Sequence, residues 1–142
     1  MKTSTLSVLV VSAILSVAGS AAAINKCSNV DVSATNSHPS GDPVKVVYIK
    51  YQVNGAGTWY KEDLADKVPN SGNSVSWSNQ DLQNLTEGSG AKFRVYFKRQ
   101  LTSGTIPSYG DTHFQEYDRL NVGCTDGRSY AFTINTTGTA GE

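Results

Sequence analysis

The chain has 142 residues, with 12 basic and 12 acidic side chains, no formal net charge and 38% hydrophobic residues. A balanced charge argues against nucleic acid as the main partner, because phosphate binding relies on clustered positive charge. The length suits one domain with one core and is too short for two.

At the N-terminus, an apolar run from Leu6 to Val17 follows an early cation, Lys2, and leads into Ala21-Ala22-Ala23. Ala at both 21 and 23 fits an A-x-A cleavage site, so residues 1–23 read as a secretory signal peptide and 24–142 as a single mature domain. The expected destination is extracellular, or periplasmic in a Gram-negative source. No second apolar run reaches membrane-spanning length, and the polar Ile134–Glu142 stretch does not fit a GPI tail. Cys27 lies four residues past the cleavage point, so it does not start the mature chain as a lipoprotein cysteine would. The sequence therefore predicts no membrane span and no lipid anchor.

Cys27 and Cys124 are the two cysteines of the chain. In an exported protein such a pair reads as a disulfide, which would bring the N-terminal segment within about 7 Å (Cα to Cα) of a segment near the C-terminus. Their spacing fits a structural staple rather than a metal or redox motif.

Along the mature chain, period-2 alternation recurs between Gly-, Asn-, Ser- and Pro-rich punctuation. Val30–Thr35 reads as a first strand and Asn36–Pro43 as a loop. Val44–Val53 is a strong strand, with Val47, Ile49, Tyr51 and Val53 on one face. Asn54-Gly55-Ala56-Gly57 turns the chain into a strand at Thr58–Glu62. Lys61–Lys67 has room for a helical turn, Val75–Trp77 for a short strand, and Ser78 for the cap of a brief helix reaching Leu85. Ala91–Leu101 is a strand with Phe93, Val95 and Phe97 on one face, followed by a Gly/Pro/Ser loop at Thr102–Gly110 and a strand at Thr112–Tyr117. The last element reads as a hairpin around Asp126-Gly127. A three-residue bulged loop with Gly127 left-handed would put Leu120 across from Phe132 and Val122 across from Tyr130, all facing inward with Cys124. The expectation is an all-β antiparallel sandwich of about seven strands, with one disulfide between its first and penultimate strands and at most one or two short helical turns.

Three groups of residues are candidates for chemistry. The first is an aromatic and basic sheet face. An even-length loop after Val53 would place Trp59 beside Tyr48 and Lys50, opposite in face to Ile49 and Tyr51. Lys92, Arg94, Tyr96 and Lys98 share the outer face of their own strand. Aromatics on a rigid sheet can stack on sugar rings while polar neighbours take the hydroxyls, and the same surface suits a flat protein target. The competing reading makes Trp59 and Trp77 core residues and the Lys/Arg row a solvated face.

The second group is Asp111, His113, Glu116 and Asp118. An Asp beside a His can orient an imidazole for base catalysis, and paired carboxylates can hold Ca²⁺, but the spacing supports neither. No G-x-S-x-G, H-E-x-x-H, Ca²⁺-loop or P-loop motif is present in the sequence. The third group is two N-x-[ST] sequons, at Asn84 and Asn135, which are glycosylation acceptors if the source is eukaryotic.

The leading expectation is a small secreted non-catalytic binding domain for a surface glycan or protein, with Tyr48, Lys50, Trp59, Arg94, Tyr96 and Lys98 as contact residues. It needs no cofactor and no metal. The chain's thirteen aromatics and long polar loops support it. One alternative is a secreted effector, toxin or enzyme inhibitor acting through Ser40–Pro43 or Thr102–Gly110. Another is a small hydrolase using Asp111, His113 or Glu116.

Overall fold

The computed structural model describes residues 26–141. The signal peptide expected over residues 1–23 lies outside the described residues. Eight strands follow in order: β1 (Lys26–Asn36), β2 (Val44–Val53), β3 (Tyr60–Lys67), β4 (Ser74–Thr86), β5 (Ala91–Thr102), β6 (Ser108–Arg119), β7 (Ser129–Ile134) and β8 (Thr139–Ala140). They form a three-stranded sheet, β4-β1-β7, and a five-stranded sheet, β3-β2-β5-β6-β8.

The inner faces follow from alternation. Along β5, Phe93, Val95 and Phe97 are buried, and along β7, Tyr130, Phe132 and Ile134 are buried. The two sets meet between the sheets, where the Phe93 ring lies 4.7 Å from Tyr130 and 5.3 Å from Phe132. Cys27 and Cys124 form the disulfide, with Cα atoms 6.1 Å apart and both residues fully buried. The all-β sandwich and its staple are as the sequence predicts. Cys124, however, lies in the connection before β7 rather than in a strand.

Four expectations need correction. First, the fold is not wholly antiparallel, because β1 and β7 run parallel, with Val32 opposite Tyr130 and Ala34 opposite Phe132. Second, no helical turn forms among the described residues: 60–67 is β3, and 74–86 is one long strand. Trp77, Leu82 and Leu85 are separated by odd intervals, so a regular strand would alternate their faces. Shifts in the β1–β4 register, with Asn29 at φ 55 and Asn79 at φ 58, let all three point inward.

The third correction lies in β2. An irregularity between Val46 and Tyr48 makes Val47 the odd residue, so Val44 and Val46 share the inner face with Ile49 and Tyr51. The fourth concerns the last hairpin. Its turn is there, with Gly127 at φ 74 and the Arg128 N–H donating to the Thr125 carbonyl at 3.1 Å. The arms do not pair with each other; β6 ends in one sheet and β7 joins the other. The turn docks on β1 instead, where Asp126 Oδ1 accepts from the Ser28 N–H at 2.8 Å. Cys124 is held from the other side by backbone bonds with Gly88 and Ser89.

Side chains close both open sides of the sandwich. On one side Tyr117 Oη donates to the Thr133 carbonyl at 2.7 Å, and Arg119 Nη2 to that of Ala131 at 3.2 Å. On the other, Lys67 Nζ donates to the Ser76 carbonyl. These bonds occupy carbonyls that an uncovered sheet edge would offer to another chain.

Candidate functional site

Two rows of side chains cross the outer face of the five-stranded sheet, each built by register. In the first, Lys61, Lys50, Arg94 and Glu116 are successive cross-strand partners on β3, β2, β5 and β6. In the second, Asp63, Tyr48, Tyr96, Phe114 and Thr139 follow in the same way, ending on β8. The pairing of Tyr51 with Tyr60 leaves an even number of residues between them, and so brings Trp59 to the Lys50 side of the sheet.

The second row is a stacked aromatic layer. The Tyr48 and Tyr96 rings are 4.3 Å apart and stacked, and Tyr96 and Phe114 are 5.2 Å apart. Tyr96 is only 2% exposed although it faces away from the core, because Tyr48, Phe114 and the β8 end cover it. The Lys50 ammonium lies 5.2 Å from the Tyr96 ring centre, and that of Lys61 lies 4.6 Å from Tyr48. Burial, and after it the neighbouring Tyr96, pushes the Tyr48 phenol above its ordinary value.

Arg94 ties the rows together. Its guanidinium sits 4.1 Å from the Trp59 ring centre and 4.5 Å from that of Phe114. Its Nε donates to Glu116 Oε2 at 3.0 Å, which orients the guanidinium. Lys92 Nζ lies 3.7 Å from the other oxygen of Glu116. Beside this cluster opens a cavity of about 430 Å³ lined by Lys50, Trp59, Arg94, Tyr96, Phe114, Thr139 and Ala140.

The structure thus gathers four of the predicted contact residues, Lys50, Trp59, Arg94 and Tyr96, around one concavity. Tyr48 supports it from behind Tyr96. Lys98 lies further along the same face, opposite Lys45 and Thr112. Sequence reasoning missed Phe114, Thr139 and Ala140. Alternation along β6 puts Phe114 on the face of Glu116, but only the β5–β6 pairing shows that this face adjoins Tyr96. Trp77, the other tryptophan, is a core residue at 4% exposure.

The hydrolase candidates are not all brought into one site. Glu116 projects from the outer face with Arg94, whereas His113 is opposite Phe97, on the inner-facing side of β6. His113 Nδ1 donates to the backbone carbonyl of Asp111 at 3.2 Å, not to its carboxylate. His113 does line a second concavity, of about 330 Å³, with His38, Arg99, Leu101 and Asp111. His38 is buried, and its Nδ1 accepts from the Ser40 N–H at 3.2 Å. No group of three or more His, Cys, Asp or Glu side chains suited to a metal ion occurs among the described residues.

The two loops of the effector reading meet at one end of the sandwich, where Asp42 and Pro43 line a shallow cleft with Leu101, Thr102 and Ser103. In the β5–β6 loop Ile106 is 89% exposed. Both sequons are on exposed residues; Asn135 Oδ1 accepts from Gln115 Nε2 at 2.8 Å, and the Asn84 backbone N–H donates to Tyr51 Oη at 3.1 Å. No helix among the described residues is long and apolar enough to cross a membrane. The chain matches no protein-family model, no curated protein and no solved structure, so any reading of the site rests on its own geometry.

Proposed function

We propose that this chain is a small secreted binding domain that holds a surface glycan in the concavity bounded by Trp59, Arg94, Tyr96 and Phe114. The observation carrying this reading is the part-exposed indole of Trp59, fixed against Arg94 on a rigid sheet beside a cavity large enough for a sugar residue. An indole offers its face to the C–H groups of a pyranose, while neighbouring cationic and hydroxyl groups serve the ring oxygens. A buried disulfide is compatible with an extracellular location.

The test is retention of the oxidised protein, residues 24–142, on a panel of insoluble polysaccharides and cell-wall preparations, read together with tryptophan fluorescence against soluble fragments. Selective retention with a fluorescence shift that Trp59→Ala abolishes supports the reading. Absence of retention on every matrix overturns it.

The exposed Ile106 side chain favours a second reading, in which the Thr102–Gly110 loop inserts into a protein target as an inhibitor or effector would. Under that reading Ile106→Ser removes activity against the target while Trp59→Ala leaves it intact.

A further inference from the structure

We propose that the glycan held by this concavity is acidic, carrying a carboxylate or a sulfate that docks on Arg94 and Lys50; this inference rests on the glycan-binding reading above. The argument begins with the donors of Arg94. A guanidinium presents five N–H groups in a fixed fork. In Arg94, Nε is taken by Glu116 Oε2 at 3.0 Å, while the terminal Nη atoms donate to no acceptor among the described residues. Its faces lie against Trp59 and Phe114, at 4.1 and 4.5 Å from their ring centres. Stacking and the Glu116 bond together hold the guanidinium still. The terminal edge, the part that matches a carboxylate or sulfate bidentately, is left for a ligand.

Lys50 supplies the second cation. It lines the same cavity, packs over Tyr96, and has no carboxylate within ion-pair distance among the described residues. Among the described residues, no acidic side chain lines the cavity. Next to it Glu116 is shared between Lys92 and Arg94, one carboxylate for two cations. The Asp118 carboxylate, opposite Lys92, accepts from the Leu120 N–H. In a protein with no net formal charge, this corner sets, among the described residues, the three cations Lys50, Lys92 and Arg94 against the two carboxylates of Glu116 and Asp118, beside an aromatic platform. A neutral sugar would use the platform and leave the guanidinium edge and the ammonium merely hydrated. A uronate or sulfated sugar uses all three.

The test compares matched polymers with the intact disulfide-bonded protein: polygalacturonate against its carboxyl-reduced form, and dextran sulfate against dextran. Expected is retention on at least one acidic member, roughly tenfold or more weaker on its neutral partner, and falling as salt rises. Arg94→Lys, which keeps the charge and loses the fork, and Lys50→Met each weaken binding roughly tenfold at an unchanged melting temperature. The uronate and sulfate arms separate the two sources of negative charge.

Equal retention on neutral and acidic members overturns the acidic ligand and leaves the glycan reading standing. Retention on neither member of any pair, with none on the wider polysaccharide panel, overturns both. Undiminished binding of polyanions by Trp59→Ala, with equal binding of polyglutamate, shows unspecific charge attraction and also overturns the proposal. So does a Lys50→Met variant that binds as wild type while Arg94→Lys loses binding only together with its fold.

Discussion

The indole N–H of Trp77 on β4 donates to the carbonyl of Ala65 on β3 at 2.6 Å, joining the edge strands of the two sheets. One side chain thus fills the core and latches one open side of the sandwich, while Lys67 packs its ammonium 5.4 Å from the same ring. Trp77→Ala is expected to cost about 3–5 kcal/mol, through the cavity and the lost bond together. Trp77→Phe, which retains most of the packing, is expected to cost about 0.5–1.5 kcal/mol. Urea denaturation of the two variants measures the difference.

Trp59 is expected to behave in the opposite way. It is part-exposed on the outer face, and its main contact is the Arg94 guanidinium. Trp59→Ala is expected to cost less than about 1 kcal/mol of stability, the scale of one surface cation–π contact, while sharply reducing glycan retention. A thermal melt run beside the retention assay checks both halves.

Gly90 ends the β4–β5 connection, packed against the Leu120 backbone. A Cβ there would lie 1.9 Å from the Leu120 carbonyl oxygen, so backbone must move to admit one. Gly90→Ala is expected to cost about 3 kcal/mol. Gly41→Ala serves as comparison. Its φ of +73° is strained for alanine, but the space is open, so about 1 kcal/mol is expected. Equal losses in denaturant midpoint for the two variants would contradict this account of Gly90.

The disulfide spans a sequence separation of 97 residues. For a loop of about 100 residues the chain-entropy model gives ~4.7 kcal/mol. Replacing both Cys27 and Cys124 by Ala is expected to remove about 2–5 kcal/mol, read as a lower denaturant midpoint. Because both sulfurs are buried, the native protein should also yield no alkylatable thiol to mild reductant until it is unfolded.

His38 gives the fold a dependence on acid. Burial first, and then the Arg99 charge, lowers its pKa below 6.5, with Asp42 opposing and His113 adding to the shift. Only an unprotonated Nδ1 can accept the Ser40 N–H, so the native state prefers the neutral ring. The stabilisation is complete above the unfolded value of 6.5 and is lost as pH falls through the folded value, because the unfolded chain takes up the proton first. His38→Gln should therefore show a shallower fall in stability than wild type between about pH 7 and about pH 5.

Much of this architecture is legible in single strands. Alternation alone separates Phe93, Val95 and Phe97 from Lys92, Arg94, Tyr96 and Lys98, and puts Tyr48 and Lys50 opposite in face to Ile49 and Tyr51. Those facings depend on the two-residue repeat of a strand, a local property of the chain. Cys27 and Cys124 are equally readable, since two cysteines allow one intramolecular bond. Where local spacing misleads, a bulge is the cause: Leu82 and Leu85, three residues apart, resemble a helical face until the β1–β4 irregularities bring both inward.

What only the tertiary structure decided is which strands lie side by side. Nothing near Tyr130 announces a parallel partner in β1, and nothing near Phe114 announces Tyr96 or the two-residue β8 beside it. Strand partners are chosen by burial summed over the whole chain against the entropy of closing long loops. Short-range pattern carries no record of that balance. The sequence by itself therefore determined the all-β class, the single staple and the facing of β5 and of the Tyr48–Tyr51 part of β2, but not that of Val44 to Val47. The tertiary structure determined the strand order, and with it the setting of Arg94 between Trp59 and Phe114.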